Sequence, residues 1–253
     1  MPIGKFREEW RVRRGIAQLS VGGGVARQSY LQKIRAMFGT SLIGYWPGNE
    51  EAGTVATDYS GKGYNGVYTG VTLGQEGTGD GLTCPLYDGV ADFMQPPAGF
   101  RTAFNGLEAT VAGWFLNNSW IDGLVRVLFR IQVDSSNSLN AFKTAANNSI
   151  TFQYIAGGTT KNVTIASLSY TGFFHVGLTV SKSGDIFQVY INGLPVGTTQ
   201  TGLGTWVGVP IAASTVIGAT SSVPTLVWNG RIAHLPVLNR AATPAEVAAA
   251  AVI

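Results

Sequence analysis

Cleaving a glycosidic bond takes two carboxyl groups facing each other across it, roughly 5–5.5 Å apart in retaining enzymes. A β-strand delivers such groups from positions i, i+2 and i+4, which share one face. The 253-residue chain holds no Glu-x-Asp-x-x-Glu run of that kind. The adjacent Glu50-Glu51 would point opposite ways on an extended backbone, and Gly89 puts a turn between Asp88 and Asp92. His175 and His234 are the two histidines, and no Gly-x-Ser-x-Gly elbow accompanies them. Each is expected to hydrogen-bond a neighbour across a sheet. Cys84 is the single cysteine, which excludes an internal disulfide and a cysteine-held zinc. Gly22-Gly23-Gly24 and Gly202-Leu203-Gly204 lack the flanking strand and helix of a phosphate loop. The expectation is a protein without catalytic residues.

The elements that would position any other chemistry read as strands. Only 12% of the residues are charged, against roughly a quarter in an average domain, and 34 are glycine. This balance suits a β-fold with many turns. The clearest stretch is Thr171–Gly197. There Phe174, Val176, Leu178 and Val180 alternate with polar or small residues, Ser183-Gly184-Asp185 turns the chain, and Phe187, Val189 and Ile191 alternate again up to Asn192-Gly193. This hairpin is expected in the middle of an antiparallel sheet. Further strands are predicted at Ala109–Leu116, Leu124–Val133, Ile150–Ile155, Lys161–Ala166, Ser214–Gly218 and Gly230–Leu238, with a strand–turn–strand over Leu86–Met94. Strands at this spacing, without helices between them, argue an all-β protein: a two-sheet antiparallel jelly-roll sandwich. Thr243-Pro244-Ala245-Glu246 is a capping box that opens a short C-terminal helix.

Charge divides the chain. Residues 1–40 carry eight Lys/Arg against Glu8 and Glu9, a balance of +6, which leaves −3 for the remainder. Ile3, Phe6, Trp10, Arg13 and Ile16 have near-helical spacing, the glycines at 22–24 read as a linker, and Arg27–Phe38 reads as an amphipathic helix stopped by Gly39. The expected organisation is therefore a basic helical arm over 1–40 and a separate body over 41–253. Phe6, Arg7, Trp10, Arg11, Arg13, Arg14, Tyr30, Leu31 and Ile34 are the residues expected to anchor the arm on an acidic neighbouring protein or on a second copy. Nucleic acid is not expected as the partner, because no aromatic residues interleave with the charges in a recognisable motif. No apolar run approaches the roughly 18 residues of a membrane span. No secretory leader is evident, so the protein is expected in the cytoplasm until lysis.

Four pieces in fixed order carry a family resemblance. They are Gly44-Tyr45-Trp46 with Asp58-x-Ser60-Gly61-x-Gly63-x-Asn65-Gly66; Asp88-Gly89 before an aromatic strand; Phe174-His175-Val176 with Val189-Tyr190-Ile191-Asn192-Gly193; and Trp228-Asn229-Gly230-Arg231-Ile232 before Leu238-Asn239-Arg240 and the capped helix. Over about residues 42–250 the chain resembles the laminin-G-like branch of the concanavalin A-like lectin/glucanase superfamily. It departs where an acid commonly follows the Gly-x-Ile step, since Ala233-His234 stands there. With its basic leader the chain also resembles accessory proteins of tailed bacteriophages. That implies a virion component, held by its arm to other virion proteins and displaying a lectin-like body to host-surface glycan. The alternative is a free carbohydrate-binding lectin or a degenerate glucanase. The resemblance further implies a structural Ca²⁺, with Asp58, Asp88 and Asn65 standing where ligands would come from. The other reading, and the preferred one, has these aspartates bonding backbone amides in turns. For a sugar, the candidates are Trp120, Trp206 and Trp228, aromatic rings in turn-like contexts beside Asn and Gly.

Overall fold

The computed structural model describes residues 29–253. Phe6, Arg7, Trp10, Arg11, Arg13, Arg14, the helical pattern over 3–19 and the glycines at 22–24 lie outside the described residues. In chain order the elements are α1 (Tyr30–Phe38), β1 (Leu42–Trp46), β2 (Val55–Ala56), β3 (Gly66–Thr69), β4 (Thr72–Glu76), β5 (Thr83–Asp88), β6 (Phe93–Gln95), α2 (Ala98–Ala103) and β7 (Glu108–Asn117). There follow β8 (Arg126–Asp134), β9 (Asn137–Lys143), β10 (Ile150–Ala156), β11 (Thr159–Ile165), β12 (Phe174–Ser181), β13 (Ile186–Ile191) and β14 (Leu194–Gln200). The last are β15 (Val216–Ile217), β16 (Asn229–Ala233), β17 (Leu235–Leu238) and α3 (Pro244–Ala250).

These strands form two antiparallel sheets, the all-β sandwich expected. The first runs β14-β13-β12-β7-β16-β5-β4, with β17 also beside β7 and β1 beside β17. The second runs β11-β10-β9-β8-β15-β6-β3-β2. The hairpin β12–β13 pairs from Val176↔Ile191 to Ser181↔Ile186, and β12 pairs along its other edge with β7 from Phe174↔Phe115 to Ser181↔Glu108. It therefore sits inside the first sheet. Asn192 and Gly193, at φ 49° and 78°, turn the chain into β14.

Alternation decides what each strand buries. Phe174, Val176, Leu178 and Val180 of β12 and Phe187 and Val189 of β13 face inward and are fully buried. They share one core with Ala141 of β9 and Phe152 and Tyr154 of β10 from the second sheet. Each fully buried large side chain of this kind contributes about 1.5–3 kcal/mol.

The other face of the first sheet is covered by α1 and α3. Ser29 caps α1 in a capping box with Gln32, and Gly39 at φ 50° ends it. Tyr30, Ile34 and Phe38 then pack with Tyr45, Tyr190, Leu238, Val247 and Ala250 in a second core. The Tyr30 hydroxyl donates to the Ala250 carbonyl at 2.6 Å and accepts from Trp114 Nε1 at 3.0 Å. This corrects two expectations. Tyr30 (4% exposed) and Ile34 (0%) are interior residues of the body and are not free to anchor an assembly. Leu31, half-buried, packs against the same cluster. Helix α1 accordingly belongs to the body and not to a separate arm, because an apolar helix face of this size finds its partner on the sheet.

Helix α3 has the capping box read from the sequence, with Thr243 and Glu246 exchanging bonds and Pro244 in the first turn. Glu246 also takes two hydrogen bonds from Arg240, at 2.6 and 2.8 Å. Those bonds outweigh partial burial and lower its carboxyl to about 2. Glu246→Ala is expected to cost about 1 kcal/mol, chiefly the lost cap, since a partly exposed ion pair adds little. The contribution is complete above the ordinary glutamate pKa and vanishes as pH falls through about 2. Urea unfolding of variant and parent at pH 7 and in acid reads it.

Candidate functional site

With α1 and α3 on the first sheet, the outer face of the second sheet is left open over β8–β11. Leu139 and Ala141, Phe152 and Tyr154, and Val163 turn into the core. The residues between them must face outward. Strand register then aligns Arg130 of β8 with Asn140 of β9, Asn140 with Gln153 of β10, and Gln153 with Asn162 of β11. The next row joins Val127, Phe142, Thr151 and Thr164. A polar row thus crosses four strands beside an aromatic ring.

The row is polarised. Asn140 Nδ2 donates to Gln153 Oε1 at 3.3 Å, and Gln153 Nε2 donates to Asn162 Oδ1 at 3.1 Å. Asn140, 8% exposed, keeps a buried Oδ1 with no partner, and the buried Arg130 Nε also has none. Buried polar atoms are normally satisfied, and leaving one unmade costs about 1–3 kcal/mol. Among the described residues Arg130 reaches only the Thr220 carbonyl, at a long 3.5 Å. It forms no ion pair among the described residues. Burial pushes its guanidinium below the usual arginine value. These groups line a pocket of about 200 Å³ together with Val127, Phe142, Gln153 and Leu226. The lining offers a guanidinium, two side-chain amides and an aromatic ring, groups that can hydrogen-bond, pair with an anion and contact a ring.

A buried charge cluster fixes the loop that enters β8. Asp122 accepts from Arg126 Nε at 2.5 Å and from Lys143 Nζ at 2.7 Å. Arg126 also donates to the carbonyls of Gly89 and Val227, and Lys143 to that of Leu124. The pocket's Leu226 is tied to the same strand, its carbonyl accepting from Val127 N at 2.7 Å.

The residues proposed from the sequence lie elsewhere. Trp228 is fully buried, edge-on to Phe115, with its N–H given to the Leu116 carbonyl. Trp206, 6% exposed, stacks on Tyr154 and lies so close over Gly106 that an added Cβ would come within 2.0 Å of its ring. Neither presents a face to a sugar, because the loops carrying them fold over the core. Trp120 is half-buried against Phe174 and gives its N–H to the Tyr170 carbonyl.

Asp58 is the hub of a turn. Its Oδ1 accepts from the amides of Tyr45 and Ser60, its Oδ2 from the Ser60 hydroxyl and the Tyr64 amide, and Asn65 Oδ1 accepts from its own amide. Asp88 accepts from the amides of Val90 and Ala91 in the turn it shares with Asp92. Calcium wants about six to eight oxygen ligands, and here both Asp58 oxygens, one Asp88 oxygen and Asn65 Oδ1 already accept hydrogen bonds within the turns. Among the described residues no three His, Cys, Asp or Glu side chains converge as a metal site. Asp58, Asn65 and Asp88 thus make the backbone bonds expected of turn residues.

The histidines divide. His175 is fully buried against Trp114; its backbone amide donates across the sheet to Asn192 Oδ1 at 2.8 Å, and neither ring nitrogen has a partner among the described residues. Burial, with Lys33 adding to it, pushes its pKa down to about 3. His234, at φ 48° between β16 and β17, contacts the Tyr45 hydroxyl at 2.9 Å and Asp80 Oδ2 at 3.0 Å. An acid, Asp80, thus lies beside the position after the Gly-x-Ile step. Tyr30 closes over this histidine at 4.6 Å, and the group braces the interior.

Arg130, Asn140, Phe142, Gln153 and Asn162 were not read from the sequence as a site. The available signal was Gln153 standing between Phe152 and Tyr154, a polar outward position on an otherwise apolar strand.

No curated protein sequence matches the chain. Among solved structures it is similar to domain 4 of AbnA, a GH43 extracellular arabinanase from Geobacillus stearothermophilus, solved with arabinotriose. That match has 15% identity and a TM-score of 0.62 over 84% of this chain and 98% of that one. It is also similar to Trypanosoma rangeli sialidase in complex with sialic acid, at 13% identity and a TM-score of 0.61 over 82% of this chain, which spans 32% of the sialidase. These likenesses give the fold. A model of the Laminin_G_3 family matches residues 88–248, from the end of β5 into α3 and across every strand of the polar row. The chain belongs to that family, within the concanavalin A-like lectin/glucanases superfamily.

Proposed function

We propose that the protein is a non-catalytic glycan-binding module that takes its ligand on the outer face of the second sheet. The observation that carries this reading is the row Arg130–Asn140–Gln153–Asn162, polar atoms unsatisfied at its head, beside the Phe142 ring in an open pocket. Amides that bond hydroxyls, next to an aromatic surface for the C–H face of a ring, are what a sugar needs. The superfamily's lectin and glucanase members, and an arabinanase domain solved with arabinotriose, are consistent with it. The absence of any carboxylate from the pocket lining supports binding without cleavage. Ser29, the first described residue, lies on the helix-covered face of the sandwich, opposite the pocket. That placement suits attachment through residues 1–28 to a larger assembly, the virion of a tailed phage, with the pocket turned outward.

A glycan array probed with the full chain tests the reading. Gln153→Ala and Phe142→Ala are each expected to weaken the best hit about tenfold, a change of about 1.4 kcal/mol, with an unchanged melting temperature. An array with no hit, or full affinity in both variants, would remove the site.

A further inference from the structure

We propose that the ligand of this pocket is an acidic glycan, and that Arg130 receives the carboxylate of one of its sugar residues. The inference rests on the glycan-binding reading above and goes beyond it in naming the charge.

A guanidinium in a folded protein normally meets a carboxylate or phosphate in a bidentate pair. The two buried cations nearby each have a carboxylate partner, since Arg126 and Lys143 share Asp122. Arg130 does not. It is half-buried, and among the described residues its Nε has no acceptor, its one bond is the 3.5 Å contact to the Thr220 carbonyl, and no acid lines the pocket it faces. A desolvated cation without a counter-charge is a standing penalty that a local acid would relieve. Its persistence beside a cavity is explained if the anion arrives with the ligand.

The neighbouring groups suit a carboxylated sugar in particular. At about 200 Å³ the pocket is smaller than the roughly 300–1,000 Å³ that encloses a drug-sized ligand, so it holds one ring of a longer chain. Asn140 stands next to Arg130 in register and shares the pocket lining with it, its Oδ1 buried and without a partner among the described residues. Phe142 and Val127 offer the apolar wall. A single guanidinium matches a monoanion such as a uronate or a sialate.

The test uses the full chain and matched pairs of oligosaccharides, each as the free acid and as its carboxyl methyl ester. Oligogalacturonate, a hyaluronan tetrasaccharide and sialyllactose serve as acids, with neutral, sulfated and phosphorylated glycans alongside. Titration calorimetry is expected to find the tightest binder among the carboxylates, weakened thirtyfold or more by esterification and several-fold on going from 50 to 500 mM salt. In Arg130→Gln acid and ester should bind alike. Arg130→Lys should retain part of the preference, and Arg130→Gln should melt no lower than the parent. Equal binding of acid and ester by the parent, or an acid preference surviving in Arg130→Gln, overturns the inference. So does a tightest ligand that is neutral, sulfated or phosphorylated, and each of these results leaves glycan binding standing. Silence toward every glycan overturns both.

Discussion

Replacing Ile34 by alanine is expected to destabilise the protein by about 3 kcal/mol, within the range measured for buried aliphatic truncations. A freely projecting helix would give the opposite result, since alanine is the better helix former and an exposed isoleucine contributes little. The difference follows from where α1 lies. Ile34 is wholly buried between the first sheet and α3, in a cluster with Tyr45, Tyr190, Leu238 and Val247. Tyr30→Phe supplies an independent reading. It leaves the Ala250 carbonyl and the Trp114 N–H without the hydroxyl that serves both, at a cost of about 1–3 kcal/mol. Urea unfolding of both full-length variants measures these changes. Parent-like midpoints would return α1 to the arm and reopen the outer face of the first sheet as a surface.

The second large effect is expected at Asp122. Asp122→Ala should cost about 3–5 kcal/mol, because it strands two buried cations. Lys143 is fully buried and would keep only the carbonyls of Leu124 and Thr144. Arg126 would keep those of Gly89 and Val227. The pH dependence has a definite sign. Burial acts to raise the Asp122 carboxyl, but the hydrogen bonds from Lys143 and Arg126 outweigh it and hold the group below the usual aspartate range. Its stabilising contribution is therefore complete above the unfolded value, roughly pH 3.9, and is lost as pH falls through the lower folded one. Acid unfolding should be steeper in the parent than in Asp122→Ala. A double replacement, Asp122→Leu with Lys143→Met, should recover part of the loss by leaving fewer charges buried. A single variant as stable as the parent would contradict the role given to the cluster.

What the sequence made legible was local. Alternation in β12 and β13, the turn at Asn192-Gly193 and the Thr243–Glu246 box are written in neighbouring residues, and each stands where expected. The helix at 30–38 was legible as well, but its destination was not, because periodicity marks an apolar face without saying what will cover it. β9 went unseen. Its inward residues include the small Ala141, and its outward ones, Ser138 and Asn140, look like a loop when read alone. β14 was missed for another reason, being an exposed edge strand with Pro195 and Gly197 in it. Trp206 and Trp228 stand beside turn residues in sequence yet are buried by contacts with Tyr154 and Phe115, far along the chain. The candidate site was hidden most completely. Arg130, Asn140, Gln153 and Asn162 become neighbours only once the register of four strands is set.

The most direct measurement follows side-chain amide and arginine Nε–H signals by NMR while the full chain is titrated with the strongest glycan from the array. Sugar seated on the second sheet should move Asn140, Gln153, Asn162 and Arg130 most, and leave the Trp206 and Trp228 indoles still. Shifts gathered instead at Trp120 or around the Asp58–Asn65 turn, with those four residues unmoved, would place the ligand elsewhere and contradict the account.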